Sequence, residues 1–236
     1  KSNNTIHKQA LSMGGIIIEI NGIDIKNYGA KLLSYSVGAM ASTLSYFVGK
    51  NTMYPIITDT EIKPRPLSIT LVFKGKSRFE VITNISNFSS QLLKKCEIYL
   101  PDEYYYTCIM TSISESTEVV ATEHMVTYQF DAVRHLPLES EILLKSGILI
   151  CRSNVQTECI YEVTTSQEIV TVNNITIQNA EGTTIIDGMK KTVTKNGANV
   201  YKNTDLISFP VLQAGVNQID ISDNTSVKVS YYPTFV

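Results

Sequence analysis

The chain has 236 residues, a net charge of −2, and 43% hydrophobic against 18% charged residues. That length holds one large or two ordinary β domains, and the balance is that of a chain that buries a core, which excludes a disordered one. Up to Leu136 there are 13 basic and 12 acidic residues, and after it 7 and 10, so neither half carries the clustered Lys and Arg that neutralising a phosphate backbone requires.

Residues 1–12 are polar and lack the apolar run of a secretory signal. They are expected to form a disordered extension ahead of Met13. No apolar run approaches the length of a transmembrane helix. The first structural signal is the apolar run 16–20, Asn21-Gly22, then 23–25. Asn-Gly supplies the two positive φ angles of a type I′ turn, so a hairpin is predicted. A strand over 31–37 follows. Residues 38–66 then carry Gly38, Gly49, Pro55, Pro64 and Pro66 without a clear period. An unstructured loop of that length is unusual in a compact domain, so an arm or extended hairpin that leans on a neighbouring subunit is predicted.

Residues 67–73 alternate Leu67, Ile69, Leu71 and Phe73 on one face, a strand. Ser77-Arg78-Phe79-Glu80 is a capping box. It opens a helix predicted over 78–95, with Phe79, Ile82, Ile85, Phe88 and Leu92 as its buried stripe and Lys94-Lys95 at its negative end. A short strand at 97–100 and a turn at Pro101-Asp102 lead into two long strands, 104–114 and 119–133, around Glu115-Ser116-Thr117. This half therefore reads as an antiparallel sheet with one covering helix.

The junction is expected at 136–140, giving domains at 13–136 and 137–236. Beyond it the pattern is all β, with strands at 142–151, 157–165, 169–172, 175–177, 183–187 and 190–194, and turns at Asn173-Asn174, Asp187-Gly188 and Asn196-Gly197. Short strands at this spacing indicate a β-sandwich. Residues 209–219 and 227–232 are predicted to close the chain as a hairpin about Asp223-Asn224-Thr225.

No catalytic constellation is expected, and no catalytic, cofactor-binding or metal-ligating residue is assigned. The histidines, His7, His124 and His135, are scattered, and no elbow, metalloprotease or phosphate-loop motif occurs. The acids Asp102-Glu103 and Glu115 with Glu118 flank turns, where carboxylates are usually solvated. Cys96, Cys108, Cys151 and Cys159 form no close pair of the kind a zinc site shows. They read as buried thiols, with a Cys151–Cys159 bridge left open. Tyr99 with Tyr104-Tyr105-Tyr106, and Tyr231-Tyr232, are the aromatic clusters. They suit either the core or a sugar or protein surface.

In order, "IIIEINGIDI", "PLSITLVFKG", "SRFEVITNISNFSSQLLKKC", "EIYLPD" and the closing "FPVLQAGVNQI" with "VKVSYYP" resemble the distal tail protein family of long-tailed, siphovirus-type bacteriophages and prophages. The resemblance covers most of the chain from Met13 onward. It implies a mainly β protein, with an N-terminal ring-forming β-sandwich covered by one α-helix and a C-terminal galectin-like β-sandwich. It further implies a homo-hexameric ring, single or as two stacked rings, that joins the tail tube to the tail-tip hub and its receptor-binding proteins. DNA would pass through the lumen. Such a protein is made in the host cytoplasm and resides at the virion tail tip, with no enzyme activity, cofactor or membrane partner. The alternatives are a carbohydrate-binding module acting through the C-terminal sandwich, or a tail-tube subunit.

Overall fold

The computed structural model describes residues 18–50 and 54–236. The chain divides into two units, one running to Arg134 and the other from His135 to Val236. The expected extension at 1–12, His7 and the start of the first hairpin lie outside the described residues.

The first unit runs β1 (Glu19–Ile20), β2 (Ile23–Asp24), a helical turn (Ile25–Tyr28), β3 (Ala30–Val37), β4 (Ala41–Phe47), β5 (Ile56–Lys63), β6 (Arg65–Lys74), α1 (Arg78–Gln91), β7 (Cys96–Tyr99), β8 (Tyr105–Ile113), β9 (Thr117–Val120) and β10 (Glu123–His135). Asn21 and Gly22 take φ of 52° and 76°, as a type I′ turn requires. The turn is tied down because Asn21 Oδ1 accepts from Glu97 N at 2.9 Å. The main sheet has the order β2-β1-β7-β8-β10-β6-β3, with β9 laid on the start of β10. Period-2 alternation turns Leu67, Ile69, Leu71 and Phe73 of β6 inward beside Val126, Tyr128, Phe130 and Ala132 of β10. The opposite face is polar: Thr70 bonds Thr127 at 2.9 Å, and Gln129 Nε2 donates to Ser68 Oγ at 3.0 Å.

The helix starts where predicted, with Glu80 N donating to Ser77 Oγ at 3.2 Å. The Glu80 carboxylate accepts from Lys76 N at 2.7 Å, one residue before the cap. Two expectations are corrected. The helix ends at Gln91, where Leu92 N turns to Ser89 O at 3.0 Å, so Lys94-Lys95 lie beyond it. The buried stripe is Val81, Phe88 and Leu92, with Ile85 packed against the core, while Phe79 and Ile82 face outward. Both stripes satisfy the helical period, and the entry to the helix decides between them. A Cβ on Gly75 would stand 3.0 Å from Val81 Cγ2, so this glycine seats the Val81 side against the sheet.

The strand predicted over 119–133 is also corrected. It breaks at Ala121-Thr122, and β9 folds back on β10 with a bulge at Glu123/His124. The consecutive apolar residues Val119-Val120-Ala121 interrupt the alternation, which resumes only at His124.

The second unit contains β11 (Glu139–Leu143), β12 (Gly147–Cys151), β13 (Thr157–Thr165), β14 (Ile169–Val172), β15 (Ile175–Gln178), β16 (Gly182–Asp187), β17 (Thr192–Lys195), β18 (Ala198–Asn199), a helical turn (Tyr201–Asn203), β19 (Val211–Leu212), β20 (Gly215–Ile219), β21 (Thr225–Tyr231) and β22 (Thr234–Phe235). The run predicted over 142–151 is therefore two strands parted by Leu144-Lys145-Ser146. One layer has the order β11-β21-β13-β16-β17-β18, with β19 on the start of β13. The other layer is made of the pairs β12–β20 and β14–β15, joined where Val172 bridges Ile221 and Asn173 N donates to Asp220 O at 2.7 Å. Between the layers lie Cys159, Tyr161, Val163, Val227 and Val229 from the first and Leu149, Val170, Val172, Ile177 and Ile219 from the second. The described residues are mainly β with one long helix, as the sequence implies.

The closing hairpin is overturned. β20 pairs with β12, and β21 sits between β11 and β13. The two runs face one core from opposite layers. Alternation reports which side of a strand is buried; it does not report the neighbour.

Candidate assembly surfaces

Residues 38–66 form the arm predicted as an extended hairpin. It prolongs the β3–β6 ladder: Val37 pairs with Leu67, Gly38 N donates to Pro66 O at 2.8 Å, and Ala41 then pairs with Lys63. Pro64 and Pro66 interrupt the donor series there, so the ribbon leaves the sheet at this point. Among the described residues β4 and β5 pair only with each other. Tyr46 stands opposite Ile57, and the next pair, Phe47 with Ile56, points to the other face. All four side chains are exposed, as are Leu44, Val48, Ile62 and Tyr54, the last at 82%. A two-stranded ribbon in water is marginal at best, and one that is apolar on both faces gains its stability from whatever covers it.

A second exposed surface surrounds the β8–β9–β10 turn. Ile109, Ile113, Val119 and Val120 are exposed there. Glu118 bonds Arg78 at 3.3 Å, which links this tip to the start of α1. His124 is buried under it. Its Nδ1 lies 2.9 Å from Ser116 Oγ, and Glu118 Oε2 is 3.9 Å from its Nε2.

The other residues singled out by sequence hold the fold. Asp102 takes bonds from Tyr106 Oη and Tyr104 N, and Glu103 occupies the turn at φ 66°, so the two acids do not converge on a reacting centre. Tyr106 is fully buried, and its phenol is pushed up first by burial and then by the Asp102 carboxylate beside it. Tyr105 packs on Tyr99 with ring centroids 4.9 Å apart, and Arg134 lies 4.7 Å over the Tyr104 ring. His135 is buried, with Nδ1 2.9 Å from Leu136 O and its ring against Tyr232. Tyr231 is buried as well. Its hydroxyl accepts from Arg152 N at 3.2 Å and donates to Glu139 Oε2 at 3.2 Å, which removes it from any surface platform. Among the described residues no group of three or more His, Cys, Asp or Glu is placed to hold a metal ion.

All four cysteines are free and buried, and Cys96 stands directly opposite Cys108 across the β7–β8 ladder. Burial pushes the Cys96 thiol up to about 11 and that of Cys159 to about 12. All four are shielded from solvent and the thiolate is the reactive form, so burial alone is expected to keep a disulfide-exchange reagent at pH 8 from all four in the folded protein, whereas all four react in denaturant. Rapid reaction of the native protein would contradict this packing.

In the second unit Ile148, Ile150 and Val216 are exposed on the outer face of the β12–β20 pair, with Ile150 directly opposite Val216. A hollow of about 480 Å³ opens to solvent beside Leu144, Thr164, Ser166, Asn224 and Ser226. It is lined with hydroxyls and holds no aromatic ring. Its inner hydroxyls bond one another, Thr225 Oγ1 to Thr165 Oγ1 at 3.2 Å.

The fold has solved counterparts among phage tail proteins. The crystal structure of SPP1 Dit (gp 19.1), described as a paradigm of the hub adsorption apparatus in phages infecting Gram-positive bacteria, matches with a TM-score of 0.70 at 13% identity over 94% of this chain and 100% of that one. Chains of the phage p2 baseplate in its activated conformation match too. With Sr the TM-score is 0.57 at 11% identity, over 94% of this chain and 100% of that one. With Ca it is 0.54 at 11% identity, over 90% and 94%. No protein-family model matches the sequence, and no curated protein matches it. The similarity is thus one of fold, spread over both units.

The hairpin within 38–66 and the turn about Glu115-Ser116-Thr117 lie where sequence reasoning places them. That reasoning missed the outward stripe of α1, because Phe79 and Ile82 were assigned to the core, and the aliphatic trio of β12 and β20, whose strand partner was misassigned. The signal for the first was available: Val81 offers an equally regular stripe, and a helix with two apolar stripes has one to spare.

Proposed function

We propose that this chain is a distal tail hub protein of a long-tailed phage or prophage. In this reading six copies close into a ring, single or paired with a second stacked ring, between the tail tube and the tail-tip apparatus with its receptor-binding proteins. Its place is the virion tail tip, after synthesis in the host cytoplasm. The observation that carries the reading is the fold match to SPP1 Dit across 94% of this chain and all of that one.

The physical features agree with such a role. A ring of identical copies closes through head-to-tail contacts, which join two different patches. An arm that is apolar on both faces, and whose side chains are exposed among the described residues, is suited to supply one of them. Neither half of the chain is basic, so a lumen built from it lets DNA pass without holding it through its phosphates.

Deleting residues 43–63 tests the reading. The ends left behind already lie close, since Gly38 N bonds Pro66 O, and β4 and β5 contribute no pairing to the main sheet. The shortened chain is expected to keep its β-sheet spectrum and to run at the mass of a single chain. A ring of undiminished subunit number would remove the arm from the assembly mechanism.

A further inference from the structure

The outward side of α1 carries apolar side chains that are exposed among the described residues. Phe79, Ile82 and Ser86 recur at spacings of three and four, which keeps them on one side of a helix of 3.6 residues per turn, and Leu93 follows in the bend just past the helix end at Gln91. Phe79 is 80% exposed, Ile82 51% and Leu93 75%, and Ser86 between them is exposed and small. The helix is already anchored to its sheet through Val81, Phe88 and Leu92 on its other side. A surface helix normally carries one apolar stripe, so a second one is a surface waiting for a partner.

We propose that the arm of one copy lies along this stripe on the next copy, with Phe79 and Ile82 as anchors and Ser86 as the point of closest approach. This rests on the ring reading above and adds to it the surface that receives the arm. Arm packed on arm would leave the helix stripe bare, and helix packed on helix would leave the arm bare. Arm on helix covers both, and it joins two unlike patches as head-to-tail closure demands. The charges agree in part: Asp59 is exposed on β5, where Glu61 is paired with Lys63 at 3.9 Å, and Lys94 and Lys95 are exposed just past the end of α1. A small residue midway along the stripe lets a ribbon backbone approach the helix, which a long side chain would prevent.

The test uses the full chain with Ile82→Asp and, separately, Ser86→Arg. Both positions are exposed, so both variants are expected to keep the wild-type melting profile while their mass falls from that of the ring to the 26.2 kDa of one chain. A third protein, Phe47→Cys with Phe79→Cys, is treated with a flexible bis-maleimide. It is expected to give a ladder of covalent oligomers that neither single variant gives, the four native thiols being buried. Folded Ile82→Asp and Ser86→Arg proteins that assemble at wild-type mass, with no ladder from the double-cysteine protein, would overturn this contact and leave the ring reading standing. A wild-type chain that stays monomeric at every concentration would overturn the ring reading and this contact with it.

Discussion

Phe88→Ala is expected to destabilise the first unit by about 3–5 kcal/mol, the usual cost of truncating a buried phenylalanine. The side chain is 1% exposed and lies where the helix meets the sheet. Its ring makes edge-on contacts with Tyr28, Phe73 and Tyr128 at centroid distances of 5.5, 5.4 and 5.2 Å. Each such contact adds to simple area burial. Tyr128 is also held by Ser89 of the helix at 3.0 Å, so a cavity at Phe88 loosens a hydrogen bond as well as packing. A loss of this size is a large share of the roughly 5–15 kcal/mol that keeps a domain folded. Urea unfolding followed by fluorescence measures it. Phe79→Ala is the informative partner: the same residue type in the same helix, but outward-facing, and expected to change stability of the isolated chain by about 0.5 kcal/mol or less. Equal losses at the two positions would mean that the buried face of α1 is misassigned.

Gly188→Ala is expected to be the most damaging small substitution in the second unit. A Cβ there would stand 2.5 Å from Cys159 O and 2.7 Å from Pro210 O. Both obstacles are backbone, so no side chain can rotate away. Gly188 N also donates to Cys159 O at 3.0 Å, and Cys159 N to Pro210 O at 3.3 Å, which ties three segments of chain at one point. Overpacking usually costs about 1–3 kcal/mol, and more where the neighbours are fixed, so a loss at or above the top of that range is expected. Gly197→Ala is the comparison. It has open space around it and φ +77°, so it meets only the left-handed backbone penalty of roughly 1–2 kcal/mol. An unchanged unfolding midpoint for Gly188→Ala would show that the β13 segment and the chain at Pro210 are not held this closely.

The parts of the fold that were legible in the sequence are those set by local chemistry. Asn21-Gly22 fixes a turn, Ser77 caps a helix, and alternation in 67–73 and 157–165 fixes which side chains enter the core. The parts that were not legible depend on distant partners. Val227, Val229 and Tyr231 announce a buried strand face, but that β21 pairs with β11 and β13 and not with β20 is decided by which edges the rest of the sandwich leaves open. Phe79 and Val81 start two helical stripes of similar quality, and the choice between them belongs to Gly75 and the sheet. The arm was legible by a different route. Its Gly and Pro residues leave no clear period, and a stretch of that length is unusual as an unstructured loop in a compact domain.

Exposed apolar patches accordingly stand out among the described residues more clearly than any pocket. The conspicuous exposed groups, Tyr46, Phe47, Phe79, Ile82 and the β12–β20 aliphatic trio, belong to neither core among the described residues. The acids, histidines and tyrosines that invite a catalytic or sugar-binding reading are instead occupied: Asp102 by Tyr106, His135 by Leu136 and Tyr232, and Tyr231 by Arg152 and Glu139.

The most direct measurement is the mass of the purified full chain by light scattering over a concentration series, with negative-stain images of the same samples. A mass of six or twelve chains, with annular particles, is the expected result. Open filaments would contradict ring closure and indicate a tube subunit. A single-chain mass at all concentrations, with no particles, would contradict the ring reading and the arm-on-helix contact with it.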